Sequence, residues 1–226
     1  MAPITKIWFV KLKPSVTASD PAFKAHWTEI FEFVNTQSGP SSAAHQLWQH
    51  ISIPQCLVMI SGYPSQESTD IADREYVPRY GKRMAEFVEN LGLKELQLDA
   101  ESIKSSILVA KVMSLETLMV EAEDQRAFEM KEMGSEKAEE GTRTVVGGWD
   151  IWPEVLRAKK GLDAEIGMVA KDWVRLTGWK DEQELSCSHR EVSVIRGSVD
   201  HVVPLKFLLY NNYIRQLIRN KVAGSN

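Results

Sequence analysis

The apolar positions change period several times along the chain, and each change marks an element. Lys6 to Lys13 is β-branched and aromatic, closes at Pro14, and predicts a strand. Within it, Ile7-Trp8-Phe9-Val10 is apolar at both parities, as a strand with two buried faces requires. Asp20-Pro21 then sets a capping residue before a proline at the first helical position. Phe23, Trp27, Ile30, Phe31 and Val34 follow at helical spacing and predict a helix from Asp20 to Gln37. Ser38 to Ser42 is turn chemistry, and two strands, His45–Ile53 and Gln55–Tyr63, come next.

A second helical region opens at Pro64. Pro78 is expected to interrupt it, since an internal proline removes a backbone donor and clashes with the preceding turn. From Pro78 to Asn90 the side chains Tyr80, Met84, Phe87 and Leu91 share a face, and Gly92 reads as the helix end. Leu93–Asp99 alternates as a strand. The order is β-α-β-β-α-β, a ferredoxin-like unit.

The rest of the chain begins again in the same way. Ser106–Met113 reads as a strand and Glu116–Glu140 as a charged, helical stretch. Val145–Trp152 and a segment within Met168–Trp179 read as strands. A helical region begins near Asp181. Leu205–Tyr210 fits either a last strand or a terminal helix running through Ile214, Leu217 and Ile218. Val58 to Tyr63 (Val-Met-Ile-Ser-Gly-Tyr) aligns with Val174 to Trp179 (Val-Arg-Leu-Thr-Gly-Trp), without a gap as far as Arg74-Glu75 against Arg190-Glu191. A strand ending in Gly-aromatic at the same place in two copies of one topology marks a repeat. The expected halves are 1–103 and 104–226.

Charge and cysteine content narrow the setting. A net charge of −4 leaves no basic footprint for nucleic acid, and no basic amphipathic stretch addresses a membrane surface. No apolar run near Met1 has signal-peptide length, and Cys56 and Cys187 read as reduced thiols, so the expected location is cytoplasmic. The expected partner is a small apolar metabolite, with the chain a monomer holding an internal pseudo-dimer, or a homodimer.

The chemistry has few strong markers. The chain has no Gly-x-Gly-x-x-Gly, Walker or His-Glu-x-x-His motif, no Gly-x-Ser-x-Gly elbow, and no Cys-x-x-Cys pair. Nothing supports a nucleotide cofactor or a metal, so the reading is cofactor-free acid–base chemistry. His26 borders the apolar face of the first helix, beside Trp27. Trp48 and His50 share one side of a strand, and Tyr76 and Tyr80 flank Pro78. The candidate catalytic residues are His26, His50 and Tyr80: a histidine for proton transfer near neutral pH, a tyrosine for a developing oxyanion. Trp27, Trp48, Tyr76 and Met84 are candidate substrate walls. Packing is the default role for Phe23, Phe31 and Phe87.

A strand ending in Gly-aromatic, followed by a helix with a histidine about ten residues on, resembles the antibiotic-biosynthesis-monooxygenase branch of the dimeric α/β-barrel superfamily. Trp179 and His189 carry that pattern, and the first half keeps Tyr63 but has Asp73 where the histidine would stand. The resemblance implies an α+β fold of two ferredoxin-like repeats, with antiparallel sheets packed face to face as a pseudo-dimeric barrel. It makes His189 a second-half candidate. One sheet covered by helices on a single face must bury its other face, which a second sheet from the same chain achieves. Two functional readings follow. One is a cofactor-independent isomerase, cyclase or lyase acting by proton transfer on an aromatic or terpenoid-like intermediate, with a cofactor-free monooxygenase as a variant. The other is a non-catalytic ligand-binding or stress-related barrel.

The missing phosphate-cradling and metal-ligand motifs generate a first prediction. The purified protein should show no flavin or haem absorbance, and exhaustive chelation should leave any activity intact. Activity lost to a chelator and restored by one defined metal would contradict it.

Overall fold

The computed structural model describes residues 2–39, 45–98, 102–135, 143–159, 170–180 and 197–204. The first half runs β1 (Ile4–Leu12), α1 (Pro21–Ser38), β2 (His45–His50), β3 (Cys56–Tyr63), α2 (Gln66–Tyr76), α3 (Lys82–Phe87) and β4 (Val88–Leu96). The Asp20 carboxylate caps α1 by accepting from the amides of Ala22 and Phe23. Gly39, at φ 73°, ends it in a conformation that favours glycine. The second half holds β5 (Val112–Val120), α4 (Gln125–Ser135), β6 (Arg143–Trp149), α5 (Trp152–Lys159), β7 (Lys171–Trp179) and β8 (Gly197–Pro204).

The strands hydrogen-bond in the order β4-β1-β3-β2-β8-β5-β7-β6, and the pairs with described registers are antiparallel. Each half therefore has the same internal order, and β2 against β8 joins them. The register repeats too: Tyr63 pairs with Ile4 at the start of β1, and Trp179 with Val112 at the start of β5. An antiparallel bridge between Leu96, at the end of β4, and Asp150, just past β6, brings the two outermost strands together. The result is an antiparallel α+β fold consistent with ferredoxin-like units.

Strand parity divides the core. Ile7, Val58, Ile60 and Trp48 pack with Leu115, Val146, Val174 and Leu176 in a core shared by both halves. The alternate positions Val10, Leu12, Leu47, Leu57 and Met59 pack under the helices with Phe23, Trp27, Ile30 and Met84. The two apolar parities of β1 thus serve two cores.

Several expected boundaries move. Pro78 does not interrupt the helical path: Val77–Gly81 forms a π-turn between α2 and α3, with Val77, Gly81 and Lys82 all in right-handed helical conformation. A π-turn shifts the hydrogen-bond register at the point where proline lacks a donor. Gly92 ends no helix. It lies within β4, opposite Phe9, where the β1–β4 register slips between Phe9 and Val10. The strand expected over Ser106–Met113 begins only at Val112, after a π-turn at Ile103–Ile107. Glu116–Val120, expected to be helical, is the end of β5, and Trp152 starts α5 rather than ending a strand. β8 falls outside every expected strand. The expected helix near Asp181 and the Leu205–Tyr210 segment lie outside the described residues.

At the bridge, the Lys94 ammonium donates to Asp150 at 3.0 Å and Asp172 at 2.7 Å. Asp150 is 6% exposed. Burial alone would lower the Lys94 pKa, but the two carboxylates overcome it and raise it. Removing the ammonium strands a buried carboxylate, so Lys94→Met should cost about 3 kcal/mol. Urea unfolding would measure this, and a change under about 1 kcal/mol, the range of an exposed pair, would show the contact to be incidental.

Candidate functional site

Between the helix-facing side of the first-half sheet and the helices lies a cavity of about 550 Å³. That volume is in the range of small-molecule sites. Trp8, Phe33, Met59 and Met84 are among its walls, and Trp152, from α5 of the second half, borders it as well. Trp8 is fixed from both sides: its ring stacks on Trp27 at 5.9 Å and 12°, and its indole N–H donates to Asn90 at 2.9 Å.

One part of the cavity is polar. Lys6 stands directly opposite Glu95 on β4 and Ser61 on β3, so all three side chains share the helix-facing side. The Lys6 ammonium donates to Asp73 of α2 at 2.6 Å and lies 3.2 Å from a Glu95 carboxylate oxygen. The Glu95 side chain is fully buried and also accepts from Gln66, while Asp73 is 38% exposed. Lys6 sits 5.9 Å from the Tyr63 ring centroid. Burial first, then the Asp73 and Glu95 charges, push the Tyr63 phenol above its ordinary pKa. Tyr76 lies three residues after Asp73, on the same side of α2. Its hydroxyl is buried without a hydrogen-bond partner among the described residues, and burial raises its pKa. Both phenols are therefore protonated at neutral pH, and Tyr76 is a hydrogen-bond donor bordering the cavity.

Of the residues singled out from sequence, Tyr76 and Met84 line this cavity. Trp27 stands behind Trp8 and supports it without bordering the space. His26 is 1% exposed on α1, with Nδ1 3.4 Å from Glu29 and its ring 5.9 Å from Tyr80 and Phe87. It does not reach the cavity. Tyr80 borders a separate surface groove with Glu29, Glu32 and Arg79. Trp48 is fully buried in the shared core, on the opposite side of the sheet. His50 closes the turn after β2: its Nδ1 accepts from the amides of Ser52 at 2.9 Å and Ile53 at 3.1 Å. His189 lies outside the described residues. The structure thus does not bring His26, Trp48, His50, Tyr76 and Tyr80 to one point. Lys6, Glu95, Trp8 and Trp152 were missed as site residues. Asp73 carried a signal, since it occupies the position of the second half's histidine.

The corresponding face of the second half is filled differently. By register, Glu116 and Arg175 occupy the places of Trp8 and Met59. The Arg175 guanidinium donates to Glu116 at 2.8 Å and, through Nε, to Glu132 of α4 at 2.9 Å. An ion cluster thus stands where the first half has aromatic and methionine walls. Among the described residues no group of three His, Cys, Asp or Glu is placed to hold a metal ion. No helix among them is long and apolar enough to cross a membrane.

As a sequence, the chain matches no family model and no curated protein. Solved structures do match. A provisionally assigned monooxygenase from Lactobacillus acidophilus NCFM superposes with a TM-score of 0.52 at 14% identity, covering 91% of this chain and 95% of its own. A provisionally assigned chlorite dismutase, TA0507, gives 0.57 at 12%, covering 92% and 100%. A chlorite dismutase from Candidatus Nitrospira defluvii, solved in complex with imidazole, gives 0.52 at 10%, covering 90% and 92%. The chain thus shares its antiparallel α+β arrangement with these structures over about nine-tenths of its length. At these identities the likeness speaks to fold, and the chemistry rests on the cavity.

Two phenols with raised pKa values make a second kind of test. A phenol whose folded pKa exceeds its unfolded value of about 10 holds its proton longer in the native state. Its stabilisation is complete below about pH 10 and is lost as pH rises through the folded pKa. In an ultraviolet titration fewer than the five tyrosines should ionise before the protein unfolds. Tyr76→Phe should relieve part of the alkaline loss of stability; an unchanged profile would place the Tyr76 hydroxyl in water.

Proposed function

We propose that the chain is a tandem of two ferredoxin-like units, residues 1–103 and 104–226, closed as a pseudo-dimeric barrel. We further propose that the first unit is a cofactor-independent enzyme that moves a proton on an apolar, ring-bearing small molecule. The repeated strand order, the shared core and the Leu96–Asp150 bridge support the first part. The observation that carries the second is a pair of residues one turn apart on α2 that both border an apolar cavity: Tyr76, whose buried hydroxyl has no hydrogen-bond partner among the described residues, and Asp73, whose carboxylate is paired with Lys6.

In this reading the Asp73 carboxylate, held by the Lys6 ammonium, accepts a proton from the substrate. The electron pair left behind moves onto a conjugated substrate oxygen, which accepts the Tyr76 hydrogen bond. Asp73 then returns the proton at a second position, so the product is an isomer and no redox partner enters. The acid–base work assigned above to His26 or His50 passes to Asp73, because neither histidine borders the cavity. Tyr76 takes the oxyanion role given to Tyr80. A second reading draws on the neighbours assigned as monooxygenases: the same deprotonation would prepare an electron-rich ring for reaction with dioxygen.

The test starts from small molecules extracted from the native protein and identified by mass spectrometry. Wild-type protein should convert the recovered ligand or its precursor without consuming oxygen; oxygen consumption would favour the monooxygenase. Asp73→Asn and Tyr76→Phe, checked for folding by near-ultraviolet circular dichroism, should each lower turnover by ~10²-fold or more. Gly81→Leu should weaken binding, since Gly81 borders the cavity in helical conformation and an added Cβ meets nothing nearer than 3.9 Å. Full turnover in both site variants would end the proton-transfer reading, and a bound ligand that wild-type protein never changes would indicate a binding protein.

A further inference from the structure

We infer that the cavity selects ligands whose polar end is an uncharged or cationic hydrogen-bond donor, a hydroxyl or an ammonium, and rejects carboxylates and phosphates of the same shape. This rests on the cavity reading above and adds the class of ligand. Among the described residues the charged side chains bordering the space are Lys6 and Asp73, and Glu95 stands directly opposite Lys6 on β4. Two carboxylates thus face one ammonium, and that ammonium is engaged by both, at 2.6 and 3.2 Å. An anionic ligand group would lie beside the like charge of Asp73, with the buried Glu95 carboxylate close behind. Separating Lys6 from Asp73 to free a counter-ion would leave Glu95, with no side-chain exposure, less well compensated.

A donor group fits the same place without rearrangement. A hydroxyl or ammonium can donate to the Asp73 carboxylate, which is partly open at 38% exposure. The Tyr76 hydroxyl can then accept from it or donate to a neighbouring oxygen. The aromatic walls point the same way, because ring faces attract cations and disfavour anions. Trp8 and Tyr76 meet edge to face at 5.9 Å and frame this end of the cavity. The donor is also the group whose proton Asp73 would take when the ligand is a phenol or enol.

Three probes on one ring system decide it: naphthylmethanol, naphthylmethylamine and naphthoic acid, titrated at pH 7 by quenching of tryptophan fluorescence. The alcohol and the amine should each bind at least about tenfold more tightly than the acid. Asp73→Asn should narrow that gap by about tenfold, and Glu95→Gln should narrow it in the same direction if it folds. Gly81→Leu should weaken all three alike. Naphthoic acid binding within threefold of the alcohol, or a gap unchanged by Asp73→Asn, overturns the inference while leaving the cavity as the binding site. Failure of every probe to bind, or binding untouched by Gly81→Leu, sinks the cavity reading itself and this inference with it.

Discussion

The seam between β4 and the segment after β6 is the constraint on which the site depends. Asp150 receives the Lys94 ammonium at 3.0 Å, the Glu95 amide at 3.2 Å and the Trp152 amide at 3.1 Å, and the Ile151 amide donates to the Glu95 carbonyl at 2.8 Å. A buried ion pair of this kind adds little net stability, because desolvation offsets attraction, but breaking it is costly. Its value here is positional. It holds the backbone of Glu95, whose carboxylate stands behind Lys6, and it starts the helix that carries Trp152 to the cavity. The second half therefore contributes a strand contact and a wall, Trp152, to the cavity over the first half's sheet.

One scaffold thus carries two different fillings. At matched registers the first half has Trp8 and Met59 where the second has Glu116 and Arg175. Leu47 pairs with Met59 in the first half, and Gly147 pairs with Arg175 in the second. A side chain at Gly147 would have its Cβ within 2.9 Å of the Trp173 indole, which is itself packed against Trp149 and Phe128. Among the described residues, the large groups Trp173 and Arg175 of β7 lie over the second sheet, whereas a cavity lies over the first. The same strand order and register thus carry different helix-facing groups in the two halves.

Much of this backbone is legible from residue patterns. The Asp20-Pro21 start of α1, the strand pair around Pro54, and the Gly-aromatic ends of β3 and β7 follow from local chemistry that tertiary contacts do not override. The misplaced elements share a different cause. Glu116 and Thr117 look like part of a charged helix because Glu116 is polar, yet Glu116 is a half-buried strand residue paired with Arg175. Gly92 looks like a helix end because β4 is interrupted by a register slip, which hides its alternation. Pro78 looks like a break because its missing donor is certain, whereas the π-turn that accommodates it shifts the hydrogen-bond register without any local sequence mark.

The site was less legible, and the reason is parity. Residue type pointed to His26, Trp48 and His50, and type is blind to which side of an element a residue occupies. Trp48 and His50 do share a side of β2, as spacing two requires, but Trp48 packs with Val58 and Ile60 against the second half's strands. The cavity lies across the sheet from them. Positions of the opposite parity on β1 and β3, Lys6, Trp8, Met59, Ser61 and Tyr63, all border it. Lys6 is the one charge among them, and a charge within a strand apolar on both faces has to meet a buried counter-charge. Glu95 opposite it on β4 and Asp73 above it on α2 supply that pairing, so the demand of one buried ammonium gathers two carboxylates at the edge of an apolar hollow. The candidate chemistry follows from that gathering more directly than from any histidine in the chain.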